Sequence, residues 1–427
     1  MLNKHKENNL LYPFYLLWFS QLVSQIGSSM SSFAMTLFIL ERTGSAFLSA
    51  LLSISFYIPY SLTSLISGVF SDRCPKKRMM QMCDSAAAAG SLLILLLLLT
   101  GKLEVWLMCG INALNGICNA FQNPASETAM NRLISADDVQ KTSGLRSLSW
   151  SLNVFLHPLM ASALYPLIGL GGILITDLFT FLFAFSILQF LIVIPESRKT
   201  DCIARQDSFG IELREGFFWL KKHRIILGLI LFMAAVNFNA SAFDNALPVY
   251  LISLSNNTSL VGIVSSAAGA AMILSSLAVS ILPEPKDRIR VIVLSMLFSL
   301  TADNFMMPFV RETPALVIAQ FLGYLPVPLM NSSLTAVFQT EVPDEIQGRV
   351  YSCRNALQFI SIPFGSLFSG LLIDRIAPEF FRRFPLNVIF TADSSQYAAF
   401  TIFLLGITGL LSCLIAAFWF FRQKKTL

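Results

Sequence analysis

Charge is what this sequence lacks. Only 13% of its 427 residues are Asp, Glu, Lys or Arg, about half the ~25% of soluble domains, while 55% belong to the AVILMFWYC set and the mean hydropathy is +0.67. Water cannot be the solvent for most of such a surface, which excludes a soluble protein. Histidine is scarce, with three in all, and the seven cysteines stand at no metal-ligand spacing; neither a metal site nor a disulfide framework is expected. No G-x-x-x-x-G-K-[ST] occurs, so ATP-driven work through that motif is excluded. Ser162 near His157 is too slight a basis for an intramembrane hydrolase, and we expect neither an enzyme nor a cofactor. The net charge of +5, 30 Lys and Arg against 25 Asp and Glu, gathers on no face or block, which argues against nucleic acid as a partner. The short polar start, Met1 to Asn9, precedes a run too long for a removable signal peptide and without a small-residue cleavage site.

What is present is a series of apolar runs. A helix needs about 20 mostly apolar residues to cross a core of about 30 Å, and that ruler finds about twelve runs: 11–40, 47–70, 79–100, 105–125, 144–168, 171–194, 225–254, 260–282, 291–310, 314–340, 350–376 and 398–421. They are continuous rather than alternating, so the fold class is an all-α integral membrane protein and not a barrel. Lys and Arg set the orientation. With the N-terminus inside, Lys4, Lys6, Arg73, Lys76, Lys77, Arg78, Arg198, Lys199, Lys221, Lys222, Arg224, Lys286, Arg288, Arg422, Lys424 and Lys425 face the cytoplasm, and only Arg42, Lys102, Arg311, Arg375, Arg382 and Arg383 lie outside. Both termini are expected in the cytoplasm of a cell membrane protein. The longest polar stretch divides the chain into a six-helix half, 1–194, a cytoplasmic linker, 195–224, and a second six-helix half, 225–427. Within the linker, Ile211, Phe218 and Leu220 among Glu212, Arg214, Glu215 and Lys222 suit an amphipathic helix on the membrane surface. The halves repeat weakly: Asp137-Asp138-Val139-Gln140 precedes the fifth span and Asp344-Glu345-Ile346-Gln347 the eleventh, each followed by an in-span proline, Pro158 and Pro363.

The sharpest motif follows the second span: Gly68, then Asp72-Arg73-Cys74-Pro75-Lys76-Lys77-Arg78. It resembles the major facilitator loop pattern G-x-x-x-D-R-x-G-R-R at Gly68, Asp72, Arg73, Lys76 and Lys77, with Pro75 where glycine is usual. The resemblance implies the major facilitator fold, two six-helix halves, and a latch in which the aspartate sits between helix ends and basic groups on the cytoplasmic side. The segments 37–45, 60–78, 122–125, 338–339, 348–350 and 363–374 resemble the macrolide-efflux and enterobactin-exporter branch. That likeness implies export of drugs or secondary metabolites by proton antiport, by a protein acting as a monomer with a small-molecule substrate, protons or another coupling ion, and the lipid bilayer as its partners. In the fifth span His157-Pro158-Leu159-Met160-Ala161-Ser162 stands where antiporters of the superfamily carry G-P-x-x-G-G; Pro158 and Ala161 keep the pattern of a bend beside a small residue, and an ordinary proline kink is the alternative.

The resemblance also implies a substrate cavity lined by the first, fourth, seventh and tenth spans. All four carry polar residues at helical spacing: Gln21, Ser24, Gln25 and Ser28; Asn112, Asn115, Asn119 and Gln122; Asn237, Ser241, Asp244 and Asn245; Gln320, Tyr324 and Asn331. Unpaired amides are costly in hydrocarbon, so such stripes face a wet cavity or another helix. Low dielectric disfavours an ionised carboxylate, which makes intramembrane acids the natural proton-coupling groups. Asp244, beside Asn245 and Pro248 on a cavity span, leads; Glu127, His157 and Asp303 follow, whereas Asp84 and Asp177, on peripheral spans, are expected to be scaffold partners. The first span has no buried acid and the fourth no mid-depth arginine, both of which many proton-drug antiporters carry. A lysophospholipid flippase, a nutrient importer, and a receptor or sensor on the same fold remain open alternatives.

Overall fold

The computed structural model of the protein describes residues 2–73, 75–133, 139–194, 217–255, 257–283, 285–343, 347–384 and 395–423, and among them it contains helices and no strand. The helices are α1 (Leu2–Thr43), α2 (Ala46–Arg73), α3 (Lys76–Leu99), α4 (Val105–Arg132), α5 (Val139–Phe190), α6 (Arg224–Ser255), α7 (Thr258–Ile281), α8 (Arg288–Met306), α9 (Thr313–Tyr324), α10 (Val327–Glu341), α11 (Gln347–Phe359), α12 (Ser361–Leu371), α13 (Ala377–Arg383) and α14 (Gln396–Gln423). A π turn, Leu372–Ile376, joins α12 to α13.

Among the described residues, ten helical stretches are long and apolar enough to cross a membrane. Two facts reconcile ten with about twelve. The stretch Leu148–Phe190 has 43 residues, about twice what one crossing needs, and it is broken at Gly169, whose φ of 62° and ψ of −176° lie in a region essentially reserved for glycine. It therefore carries two spans, 148–168 and 170–190. α4 is not among the ten because Asn112, Asn115, Asn119 and Gln122 dilute its apolar run. Prolines break the tenth and eleventh spans. Pro328 has no N–H for the Tyr324 carbonyl, and Pro363 none for that of Phe359, so α9 ends at Tyr324 and α11 at Phe359.

The chain forms two compact units. The first comprises residues 1–35 and 55–208, the second 36–54 and 209–427. The tip of the α1–α2 hairpin, where Gly44 (φ 62°) donates its N–H to Leu40 O at 2.9 Å and ends α1, therefore packs within the second unit. The first unit has a core where Phe14 and Leu17 of α1, Met80 of α3, Ala125 and Ala129 of α4, and Ile187 and Leu188 of α5 meet. In the second, Leu229, Phe232, Met233 and Val236 of α6, Met296 of α8, Phe338 of α10 and Phe420 of α14 form another. Leu167, Phe179, Phe190, Ile281, Ile415 and Phe418 are exposed, as suits surface in contact with lipid tails. The linker prediction falls mainly outside the described residues: 195–216 are not described, and 217–222 are helical.

Candidate functional site

In the second unit three helices bring two carboxylates and a phenol together. Tyr324, the last residue of α9, donates its hydroxyl to Asp244 Oδ1 on α6 at 2.9 Å. Asp244 is exposed although Phe243, Asn245 and Ala246 beside it are buried. On α8, Asp303 is 5% exposed and packs its Oδ2 against the α9 backbone at Gly323, where any Cβ would collide with it. Its Oδ1 accepts the Asn304 N–H at 2.8 Å, and it lies close enough to Asp244 for the two charges to repel. Gln320, one helical turn before Tyr324, is 2% exposed and its Oε1 has no hydrogen-bond partner among the described residues. The proline-dictated end of α9 is what places the Tyr324 hydroxyl at this cluster. Asn237 and Ser241 of α6 are used differently: Asn237 Nδ2 donates to Gln358 O at 3.3 Å and Ser241 Oγ to Ile362 O at 2.9 Å.

The second unit also holds a contact that sequence reasoning missed. Asp374, in the π turn, accepts from the hydroxyl of Ser45 at 2.5 Å, from Ala46 N at 3.1 Å and from Phe47 N at 2.9 Å, while Ser45 Oγ accepts from Leu48 N at 3.1 Å. One carboxylate thus caps the start of α2, where free N–H groups and the helix dipole favour negative charge. The approach is close because Gly370 has no side chain; a Cβ there would stand 2.7 Å from Phe47 Cα. Asn245 reinforces it, accepting from Ser49 Oγ at 3.1 Å. The signal was available: Gly44-Ser45 reads as a helix stop followed by an N-cap, and Asp374 closes one of the segments with family resemblance.

In the first unit the predicted polar residues divide between two acids. Asp84 of α3 accepts from Gln122 Nε2 of α4 and is faced by Gln21 of α1. Asp177 of α5 accepts from Ser28 Oγ at 3.0 Å and Ser91 Oγ at 2.8 Å. Asn112 Nδ2 lies 3.5 Å from Ser55 Oγ, Asn119 Nδ2 donates to Asn115 O at 3.0 Å in its own helix, and Gln25 is exposed. His157 Nδ1 bonds to Asn153 O at 2.7 Å and its ring meets Phe33 edge-on at 5.9 Å. Pro158 O accepts from Ser162 Oγ at 2.7 Å, Ala161 is fully buried, and Glu127 is exposed near the end of α4. In the loop motif, Gly68, Asp72 and Arg73 lie in the last turns of α2 with side chains outside the described residues. Lys76 is buried, and Lys77 Nζ donates to Gln189 O at 2.9 Å and Ile192 O at 2.8 Å, tying α3 to the end of α5. No group of three His, Cys, Asp or Glu able to hold a metal occurs among the described residues.

Comparison with known proteins gives this architecture its context. The chain is 26% identical over 376 residues to Macrolide efflux protein A of Streptococcus pyogenes, covering 87% of this chain and 92% of that one. Its fold is similar to that of a bacterial homologue of the human lysosomal transporter Spinster in an inward-facing, unoccupied conformation, with a TM-score of 0.70, 14% identity, and coverage of 98% and 97%. A nucleoside transporter is similar in fold at a TM-score of 0.68 and 12% identity, covering 96% of this chain and 99% of that one. The sequence profile of the Major Facilitator Superfamily matches residues 17–302 and 238–427, and the chain belongs to that superfamily, as a membrane transporter and not an enzyme.

Proposed function

We propose that this transporter exports amphipathic small molecules of the macrolide class or similar secondary metabolites, exchanging them for protons by alternating access. The substrate class rests on the 26% identity to Macrolide efflux protein A across most of both chains. The proton step rests on one observation: Asp244 is exposed among buried neighbours, and among the described residues its hydrogen bond comes from Tyr324 alone, at the broken end of a neighbouring helix. An acid so placed can be reached by water and released from its partner without unfolding the helix that carries it. Asp303 acts with it, packed against the α9 backbone at Gly323, beside Tyr324.

The cavity residues in this reading are Gln21, Gln25, Asn112, Asn115, Asn119, Asn237, Ser241, Gln320 and Tyr324. Aromatic and methionine side chains around them repack around different apolar shapes. The loop motif latches one state through Asp72 and its cations, with both termini in the cytoplasm as the Lys and Arg asymmetry requires. Asp374 clasps the start of α2 in the state described.

Cells expressing the protein should accumulate less labelled macrolide than cells without it, and a protonophore should erase the difference. Equal accumulation across a panel of macrolides would defeat the substrate class. Export that persists with the proton gradient collapsed would defeat the coupling.

A further inference from the structure

One end of the second unit gathers cations that neither the proton step nor the substrate cavity uses. Lys221 and Lys222 end the short helix before α6, Arg224 begins α6, Arg290 lies in the first turn of α8 and Arg422 in the last turn of α14, and all five are exposed. Among the described residues no carboxylate pairs with any of them. Asp287, the acid nearest Arg290 in sequence, is engaged as a helix cap, its Oδ1 accepting the Arg290 backbone N–H at 3.1 Å.

Aromatic side chains hold the group together. The Arg290 guanidinium lies over the Phe421 ring, 5.5 Å from its centroid, which seats it beside Arg422. Trp419 lies against α6 at Gly228, where a Cβ would stand 2.4 Å from the indole ring, and Gly228 is about one turn from Arg224. Ahead of α6 the His223 ring stacks on Trp219 at 3.8 Å, and the buried Leu220 joins the same core as Ile226 and Phe420. Lys221 and Lys222 are thereby held near the ends of α6 and α14.

Two of these arginines also stand at the head of apolar strips. On α8, Leu294 and Phe298 follow Arg290 at four-residue spacing; on α14, Leu411, Ile415 and Phe418 lead to Arg422 at spacings of four, three and four. All five apolar residues are exposed, and the two helices meet closely where a Cβ at Gly409 would stand 2.9 Å from Leu300 Cβ. Neighbouring helices thus pass from exposed hydrocarbon to exposed cation at the same end. Orientation in a membrane needs loop charge alone and does not call for an arginine seated on a ring at the head of an apolar strip. A soluble anion would meet only the cations, whereas a molecule with a phosphate head and acyl chains meets both features.

We propose that this end of the second unit binds an anionic glycerophospholipid, with its phosphate between Arg290 and Arg422, Lys221, Lys222 and Arg224 around it, and its acyl chains along α8 and α14. So placed, the lipid ties the start of α6 to the ends of α8 and α14. The assignment is independent of what the protein exports and of which acid carries protons.

The test is native mass spectrometry of the purified full chain titrated with dioleoyl phosphatidylglycerol or dioleoyl phosphatidylcholine, with a melting curve recorded at each lipid concentration. Phosphatidylglycerol should bind saturably, at least about tenfold more tightly than phosphatidylcholine, and raise the Tm. Arg290→Gln and Arg422→Gln should each weaken that binding about fivefold, and the double variant about twentyfold. Phe421→Leu, which removes the ring under Arg290 and no charge, should weaken it by a smaller factor, and Lys102→Gln, at an exposed cation of the first unit, should leave it unchanged. In the wild-type protein the gain in Tm should shrink as salt is raised, which keeps the test valid if a variant folds poorly. Equal binding of the two lipids, or undiminished phosphatidylglycerol binding in the double variant, would overturn the proposal. Displacement of the lipid by an equal concentration of glycerol 1-phosphate would also overturn it, by marking a site for soluble anions.

Discussion

The two units each bring a pair of aspartates among their helices, and they treat them in opposite ways. In the first, Asp84 and Asp177 draw hydrogen bonds from α1, α3 and α4, and both are enclosed. In the second, Asp244 has, among the described residues, one donor, Tyr324, and an exposed face, and Asp303 receives backbone N–H groups of its own helix turn. A carboxylate fixed by donors from several helices is built to stay in one arrangement, because moving any helix strands a buried polar group. One held by a single phenol at the end of a broken helix can change partner at the cost of one bond. The proposed division between holding and exchanging follows this difference in donors and in exposure.

That contrast is broken most decisively at Asp244. Asp244→Asn keeps size and polarity but cannot take up and release a proton, so macrolide export driven by a proton gradient should fall to background while substrate exchange without a gradient continues. Asp177→Asn, by contrast, should leave gradient-driven export measurable and act on the stability of the first unit. Equal loss of export in both variants would erase the distinction between the units.

Tyr324→Phe sharpens the comparison by deleting only the donor. A hydrogen bond to a charged group is worth about 1.5–3 kcal/mol, so the state that depends on it should lose roughly tenfold to hundredfold in population, read as a fall in transport rate with normal expression. Wild-type rates would show that the phenol does not govern Asp244.

How much of this the sequence discloses depends on how local the cause is. The spans follow from apolar run length alone, and the fifth and sixth were separated at the right place because Gly169 lies between two such runs. The same ruler passed over the breaks after Tyr324 and Phe359, since hydropathy does not register a missing N–H; Pro328 and Pro363 would have given them. The polar stripes were visible as periodicity, but not their partners. Gln122 and Asn112 lie on one face of α4, yet one reaches Asp84 and the other Ser55, a choice made by neighbouring helices far away in sequence. Asp84 and Asp177 looked like separate scaffold acids because 93 positions part them, and only packing brings them to one cavity. Asp374 escaped for the same reason: Gly44-Ser45 marks the start of α2, but nothing near Asp374 in sequence shows that it reaches there.

A smaller effect is expected at that clasp. Asp374→Ala removes the acceptor shared by Ser45, Ala46 and Phe47, a capping contribution of about 1–2 kcal/mol. It should raise the population in which α2 parts from α12 by roughly five- to thirtyfold, measured as increased labelling of a cysteine placed at Phe47. Unchanged labelling would make the contact incidental. The smallest change should come from Gly169→Ala. A side chain in that backbone region costs about 1–3 kcal/mol, which should lower the melting temperature of the protein while leaving the substrate dependence of transport as it was; an unaltered melting curve would show that the break tolerates a side chain.

The central claim is that movement of protons drives export, and purified protein in sealed proteoliposomes tests it most directly. With labelled macrolide at equal concentration on both sides, an imposed pH gradient should drive the drug to accumulate in one compartment against its own gradient, and a protonophore should abolish that accumulation. Accumulation that is indifferent to the pH gradient and to the protonophore would contradict the account.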